Sequence, residues 1–137
     1  MEPFPHFYTV AGSLDGDEVQ LSSAGLPDIS SAAPTEFDGP GTHWSPETLL
    51  TGAIADCFLL SFKVIAAASR FDYGSVTCAV TARLERIDRV TAFTAVVISP
   101  CLTIGDAELR ERALRLLQKA EENCLITNSL KATVSFE

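Results

Sequence analysis

The stretch from Pro46 to Arg70 constrains this chain more than any other, because almost nothing in it stops a helix. Ser45 can cap the free amides of the first turn, Pro46 suits the first helical position, and Glu47 complements the positive end of the dipole. Gly52 interrupts the run at a cost of about 1 kcal/mol. Apolar side chains surround the helix almost completely, which marks a buried helix rather than a surface one. Such a helix is about 37 Å long, more than the core of one chain of this size covers. A second copy, related by a twofold axis, is therefore expected against it. The most apolar part, residues 49–62, is shorter than a bilayer span and carries Thr51 and Asp56, so the sequence predicts no transmembrane segment. Cys57 lies inside this helix beside Asp56. Taken alone, a thiol there reads as core packing, since free cysteine behaves as a small hydrophobe.

Strand patterns flank the helix. Phe4, His6, Tyr8 and Val10 share one expected strand face, Asp15-Gly16 supplies a turn, and Val19 and Leu21 resume the alternation. Residues 22–43, rich in Ser, Pro, Gly and Asp, are expected to form a long surface loop. After the helix, Val76, Cys78, Val80, Ala82 and Leu84 alternate with more polar residues. The chain turns near Asp88-Arg89, and Phe93, Ala95 and Val97 continue the apolar face of a hairpin. A second helix begins near Asp106, with Leu109, Ala113, Leu116, Leu117 and Ala120 on one side. Glu108–Arg112 and Glu111–Arg115 are expected as i,i+4 pairs on its solvated side. Asn123 and Cys124 end it, a short helical turn follows, and residues 131–136 read as a closing strand. If Cys124 opens that turn, its free amides favour the thiolate. The order of elements defines an α+β class with mostly antiparallel sheet, in one domain over residues 1–137.

Hydrophobic residues make up 47% of the chain, too many for a disordered one. The net charge of −8 argues against nucleic acid or an anionic membrane surface as partner. The charge is uneven, because no Lys or Arg precedes Lys63. The N-terminal residues lack a basic segment followed by an apolar one, so a cytoplasmic location is expected. Thiols stay reduced there, and a cysteine pair is more often redox-active than structural. The spacing of Cys57, Cys78, Cys101 and Cys124 fits no zinc pattern, so neither a metal nor another cofactor is expected.

Two segments carry a resemblance to a known family: SPETLLTGAIADCF (45–58) and AEENCLITNSLKATVSF (120–136). The first has Pro-Glu-x-Leu opening the central helix and a cysteine ten residues after the glutamate. The second has a late cysteine followed by a small-residue helix and a terminal strand. In both respects the chain resembles the OsmC/Ohr group of thiol-dependent hydroperoxide reductases. The resemblance implies an OsmC-like fold, with mostly antiparallel sheets wrapped around long buried central helices in an intertwined homodimer. It implies organic hydroperoxides as substrate and a lipoyl-type dithiol as reductant. It makes Cys57 the peroxidatic thiol, Cys124 the resolving thiol in an intrachain disulfide, and Glu47 an orienting group. About 15 Å of helix separates Glu47 from Cys57, so Glu47 either serves the partner's thiol site or only complements the helix dipole. Phe58, Leu59 and Phe62 are candidates for an apolar substrate pocket, with His43 beside the helix start.

The chain departs from that pattern in one respect. Ohr-type members pair the glutamate with an arginine from the N-terminal strands, and this chain has no cation there. His43 or Arg70 are candidate substitutes. The departure favours a second reading, an OsmC-fold binding or interaction protein whose thiols react slowly.

Overall fold

In the computed structural model, which describes residues 1–137, the central helix is α1, Pro46–Ala68. Its start is a reciprocal cap. The Thr48 amide donates to Ser45 Oγ at 3.1 Å, and the Ser45 amide donates to Thr48 Oγ1 at 2.7 Å. Threonine thus does the work that Glu or Gln does in the usual capping box. The helix ends in a Schellman motif: the Phe71 amide reaches the Ala66 carbonyl (2.9 Å) and the Arg70 amide the Ala67 carbonyl (3.1 Å). Phe71 and Ala66 supply the apolar contact of that motif inside the core.

Arg70 occupies the left-handed position, with φ 52°, where glycine is usual. A side chain there costs about 1–2 kcal/mol, partly offset by the extra unfolded-state freedom that glycine brings. Arg70→Gly is therefore expected to stabilise the fold by about 0.5–1 kcal/mol, read as a higher urea midpoint. Arg70→Ala keeps the strain and is expected to gain nothing. Equal midpoints for the two variants would show that Arg70 is unstrained.

The chain forms two compact units, Met1–Leu49 and Leu50–Glu137. The first holds an antiparallel sheet of β1 (Ala11–Asp15), β2 (Glu18–Ser22) and β3 (Ile29–Ala32). The β1–β2 turn is Gly16-Asp17, with Gly16 at φ 62°. No regular strand forms over residues 4–10, whose alternation ends in exposed Phe4, Phe7, Tyr8 and Val10. The expected long loop instead contains β3 and a 3-10 turn, Thr35–Phe37. Gly39 is obligatory in that turn, since a Cβ there would sit 1.6 Å from the Ala33 carbonyl oxygen.

The second unit carries β4 (Val76–Ile87), β5 (Val90–Leu102) and β6 (Thr133–Phe136), with α2 (Arg110–Glu122) and α3 (Leu125–Asn128). β4 and β5 form an antiparallel hairpin, and β6 joins β5 in parallel. Inward side chains line up across all three strands: Ala82, Val96 and Val134 in one row, Val80, Ile98 and Phe136 in the next. The inner row of β5 is thus Val96 and Ile98, one residue out of step with the expected Phe93–Ala95–Val97. Thr94 is the reason. It is an extra residue at the bulge where Arg83 pairs Ala95 but Leu84 pairs Phe93, and one residue reverses every side chain. Toward the end of β4 Leu84 is exposed, and Glu85 is half-buried and accepts from Thr94 Oγ1. At the hairpin tip Asp88 and Arg89 both have positive φ, as a two-residue turn of this hand requires.

Onto this sheet α1 packs Ile54, Phe58, Phe62 and Ala66, one residue every four, and α2 packs Ala113, Leu116, Leu117 and Ala120. Asp106 caps the approach to α2, its carboxylate accepting from the Glu108 amide at 2.9 Å. Arg112 does not serve the expected surface pair with Glu108. Its guanidinium donates to the Ser69 carbonyl and lies 5.3 Å over the Phe71 ring, tying α2 to the end of α1.

α1 was read as buried all round, and within the chain it is not. Leu60 and Val64 are 56% and 68% exposed, because a stripe repeating every four residues covers only one side. With 23 residues and a mean hydropathy of 1.8 over its most apolar window, α1 is also long and apolar enough to cross a membrane by those measures. The shorter stretch considered in the sequence did not anticipate that.

Candidate functional site

Cys57 sits at the border of the stripe. It directly precedes buried Phe58, is half-buried itself, and adjoins Leu60 on the uncovered flank. Cys124 is fully buried. It lies in the break between α2 and α3 in extended backbone (φ −72°, ψ 103°), its amide donating to the Glu121 carbonyl at 3.1 Å and its carbonyl accepting from Thr127 Oγ1. It is the residue that opens α3, and its side chain makes no capping bond there. The Glu121 carboxyl beside this turn titrates above the ordinary glutamate range, first because it is partly buried and then because of the Glu122 charge.

All four cysteines are free thiols. The fold separates their roles. Cys78 points its Sγ at the Ala55 carbonyl, 3.9 Å away. Ala55 is two residues from Cys57, or about 160° around the helix, so Cys78 is on the far flank. Burial also pushes the Cys78 thiol up, which keeps it protonated at neutral pH. Cys101 is exposed on β5 opposite Thr77. The turn after Cys124 joins the core that holds α1, since Ile126 and Leu130 pack against the cluster of Ile54 and Phe58.

The expected pocket residues divide. Phe58 and Phe62 are fully buried, Phe58 edge-to-face on Phe136 (5.7 Å between centroids) and Phe62 tilted on Tyr73 (5.1 Å). In this structure both rings fasten α1 to its surroundings. Leu59 is half-buried against the same cluster. Glu47 lies in the first turn of α1, with its Oε2 sealed from solvent. His43 has both ring nitrogens engaged: Nε2 with Glu18 Oε1 at 3.2 Å, and Nδ1 with Thr42 Oγ1 at 2.9 Å. Ser30 Oγ donates to the other oxygen of Glu18 at 3.2 Å, so a chain of polar groups links β3, β2 and the approach to α1. Sequence reading missed this chain, since no local pattern pairs residues 25 positions apart.

These three-stranded sheets and the long central helix define the OsmC-like fold. The backbone superposes on an OsmC-like protein of unknown function from Vibrio cholerae with a TM-score of 0.87, at 20% identity, covering 97% of this chain and 99% of that one. It superposes on the organic hydroperoxide resistance protein OsmC of Legionella pneumophila at 0.77, with 22% identity and 97% and 96% coverage. For the organic hydroperoxide resistance protein OhrB of Bacillus subtilis the TM-score is 0.72, with 20% identity and 96% and 97% coverage. In sequence the chain is 24% identical over 136 residues to the uncharacterized protein YmaD of Bacillus subtilis, spanning 96% of this chain and 91% of that one. The family model for OsmC-like proteins matches residues 39–137, and the chain belongs to that family. Glu47 and all four cysteines fall inside the matched span.

Proposed function

We propose that the protein is a thiol peroxidase that reduces organic hydroperoxides. The observation that carries this reading is the pair of free thiols at the two motif positions, Cys57 half-buried at an apolar border and Cys124 buried in a turn on the same core. The Cys57 thiolate attacks the distal oxygen of the peroxide, the O–O bond breaks, and the alkoxide leaves with a proton as the alcohol. Cys57 becomes a sulfenic acid, and the Cys124 thiol condenses with it to a disulfide, releasing water. An external dithiol, lipoyl-type in the family, returns the pair to thiols by exchange.

Substrate preference follows from the surroundings. Leu60 and Val64 offer apolar surface beside Cys57, which favours an alkyl peroxide over hydrogen peroxide. A second copy of the chain covers that flank in a homodimer, with Glu47 orienting the partner's site, and the protein works in the cytoplasm as one functional domain. The absence of any Lys or Arg before Lys63 favours the alternative of a slow-thiol binding protein. A stoichiometric pulse of cumene hydroperoxide separates the two. The peroxidase loses two of its four thiols within seconds, and peptide mapping recovers a Cys57–Cys124 link. Retention of all thiols, or a Cys78–Cys101 link, would refute it.

A further inference from the structure

One cleft of the second unit has no part in the thiol chemistry. It opens past the C-terminal end of α1, between residues 72–74 and residues 103–109, with a volume of about 340 Å³. That is the small end of the range for ligand sites, about 300–1,000 Å³. No cysteine lines it. The two walls are joined at the base of the β4–β5 hairpin. There the Gly74 amide donates to the Thr103 carbonyl and the Thr103 amide to the Ser75 carbonyl, both at 2.8 Å. Tyr73, Ile104 and Leu109 supply the apolar surface. Each is partly buried and packs against the core, with the Tyr73 ring tilted on Phe62. Two glycines border the cleft for different reasons. Gly74 is held by crowding, since a Cβ there would come 3.2 Å from Thr103 Cγ2. Gly105 has no left-handed φ, and a Cβ there would meet no atom within 4 Å. Neither backbone nor packing calls for a glycine at 105, and its bare edge leaves the cleft open.

The charge in the cleft is of one sign. Asp72 is exposed, lines the cleft and forms no ion pair, and no Lys or Arg lines it. Charged groups on the neighbouring elements are engaged elsewhere. The Asp106 carboxylate accepts from the Glu108 amide, and Arg112 serves the Ser69 carbonyl and the Phe71 ring. Apolar surface beside one unpaired carboxylate and one tyrosine ring suits an apolar molecule that carries a single cation. A carboxylate ligand would be repelled by Asp72.

We propose that this cleft binds small aryl- or alkylamines, with the ammonium at Asp72 and the apolar group on Tyr73, Ile104 and Leu109. The proposal does not depend on the peroxidase reading. Phenethylamine is the probe and 2-phenylethanol its uncharged counterpart. Each is titrated into the full chain at low salt, and the methyl signals of Ile104 and Leu109 are followed by NMR. Phenethylamine is expected to shift both, with a dissociation constant of about 1 mM for so small a ligand. The alcohol is expected to bind about threefold more weakly, because an exposed ion pair contributes modestly. Asp72→Asn is expected to remove that difference. Gly105→Leu fills the cleft and is expected to weaken both ligands by about tenfold or more. Equal affinities for amine and alcohol in the parent, a difference that persists in Asp72→Asn, or unchanged binding to Gly105→Leu overturns the proposal. So does the absence of any shift at about 20 mM phenethylamine. If the amide spectrum shows Gly105→Leu misfolded, the comparison of the two ligands on Asp72→Asn, a change at an exposed residue, decides alone.

Discussion

Cys57→Ser is expected to lower organic hydroperoxide reduction by about three orders of magnitude or more, because no neighbouring group substitutes for a lost nucleophile. Cys124→Ser is expected to behave differently. Its first turnover survives, one alcohol is released per chain, and the reaction then stops at a sulfenic acid that a cyclic dione traps on the Cys57 peptide. Cys78→Ser and Cys101→Ser should stay within about twofold of the parent, since neither thiol takes part. The physical reasons lie in the fold: Cys78 faces the opposite flank of α1 and is held protonated by burial, while Cys101 is on an exposed surface. Stopped-flow measurement of alcohol release tests all four variants. A first-turnover burst from Cys57→Ser would move the peroxidatic role to another thiol.

Phe58→Ala carries the second large effect, on stability. Phe58 is fully buried between Ile54 and Phe62 in the stripe that fastens α1 to the sheet, with its ring edge-to-face on Phe136. Removing such a ring costs about 3–5 kcal/mol, from lost burial and the cavity left behind. A domain's whole margin is about 5–15 kcal/mol, so the variant should unfold at a much lower urea concentration, compared at fixed protein concentration because association adds to stability. Phe58→Leu keeps most of the volume and is expected to lose about 1–2 kcal/mol. The same pair separates two roles for this residue. A core ring lowers the urea midpoint and leaves KM alone, whereas a substrate-lining ring shifts KM between alkyl peroxides of different size.

The helix and its start were legible in the sequence, because the signals are local: Ser45 and Pro46 at the start and an apolar run after them, although α1 ends at Ala68, two residues short of the expected Arg70. The two motifs around Cys57 and Cys124 were equally legible. The α+β order survived too, since 2.0 and 3.6 residue periods are properties of short windows. Four features needed the folded chain. The inner face of β5 depended on Thr94, an extra residue that only the pairing with β4 reveals. Strand β6 lies parallel to β5, which no pattern within residues 131–136 encodes. Arg112 had two uses open to it on α2, and the Ser69 carbonyl and the Phe71 ring won because they lie where water screens them less. The burial of Phe58 and Phe62 against Phe136 and Tyr73 also needed the fold, because hydrophobicity alone does not say which apolar surface meets a core and which a ligand. Local sequence sets which conformations are cheap, but the partner of each side chain is set by contacts between distant residues, which exist only once the chain has folded.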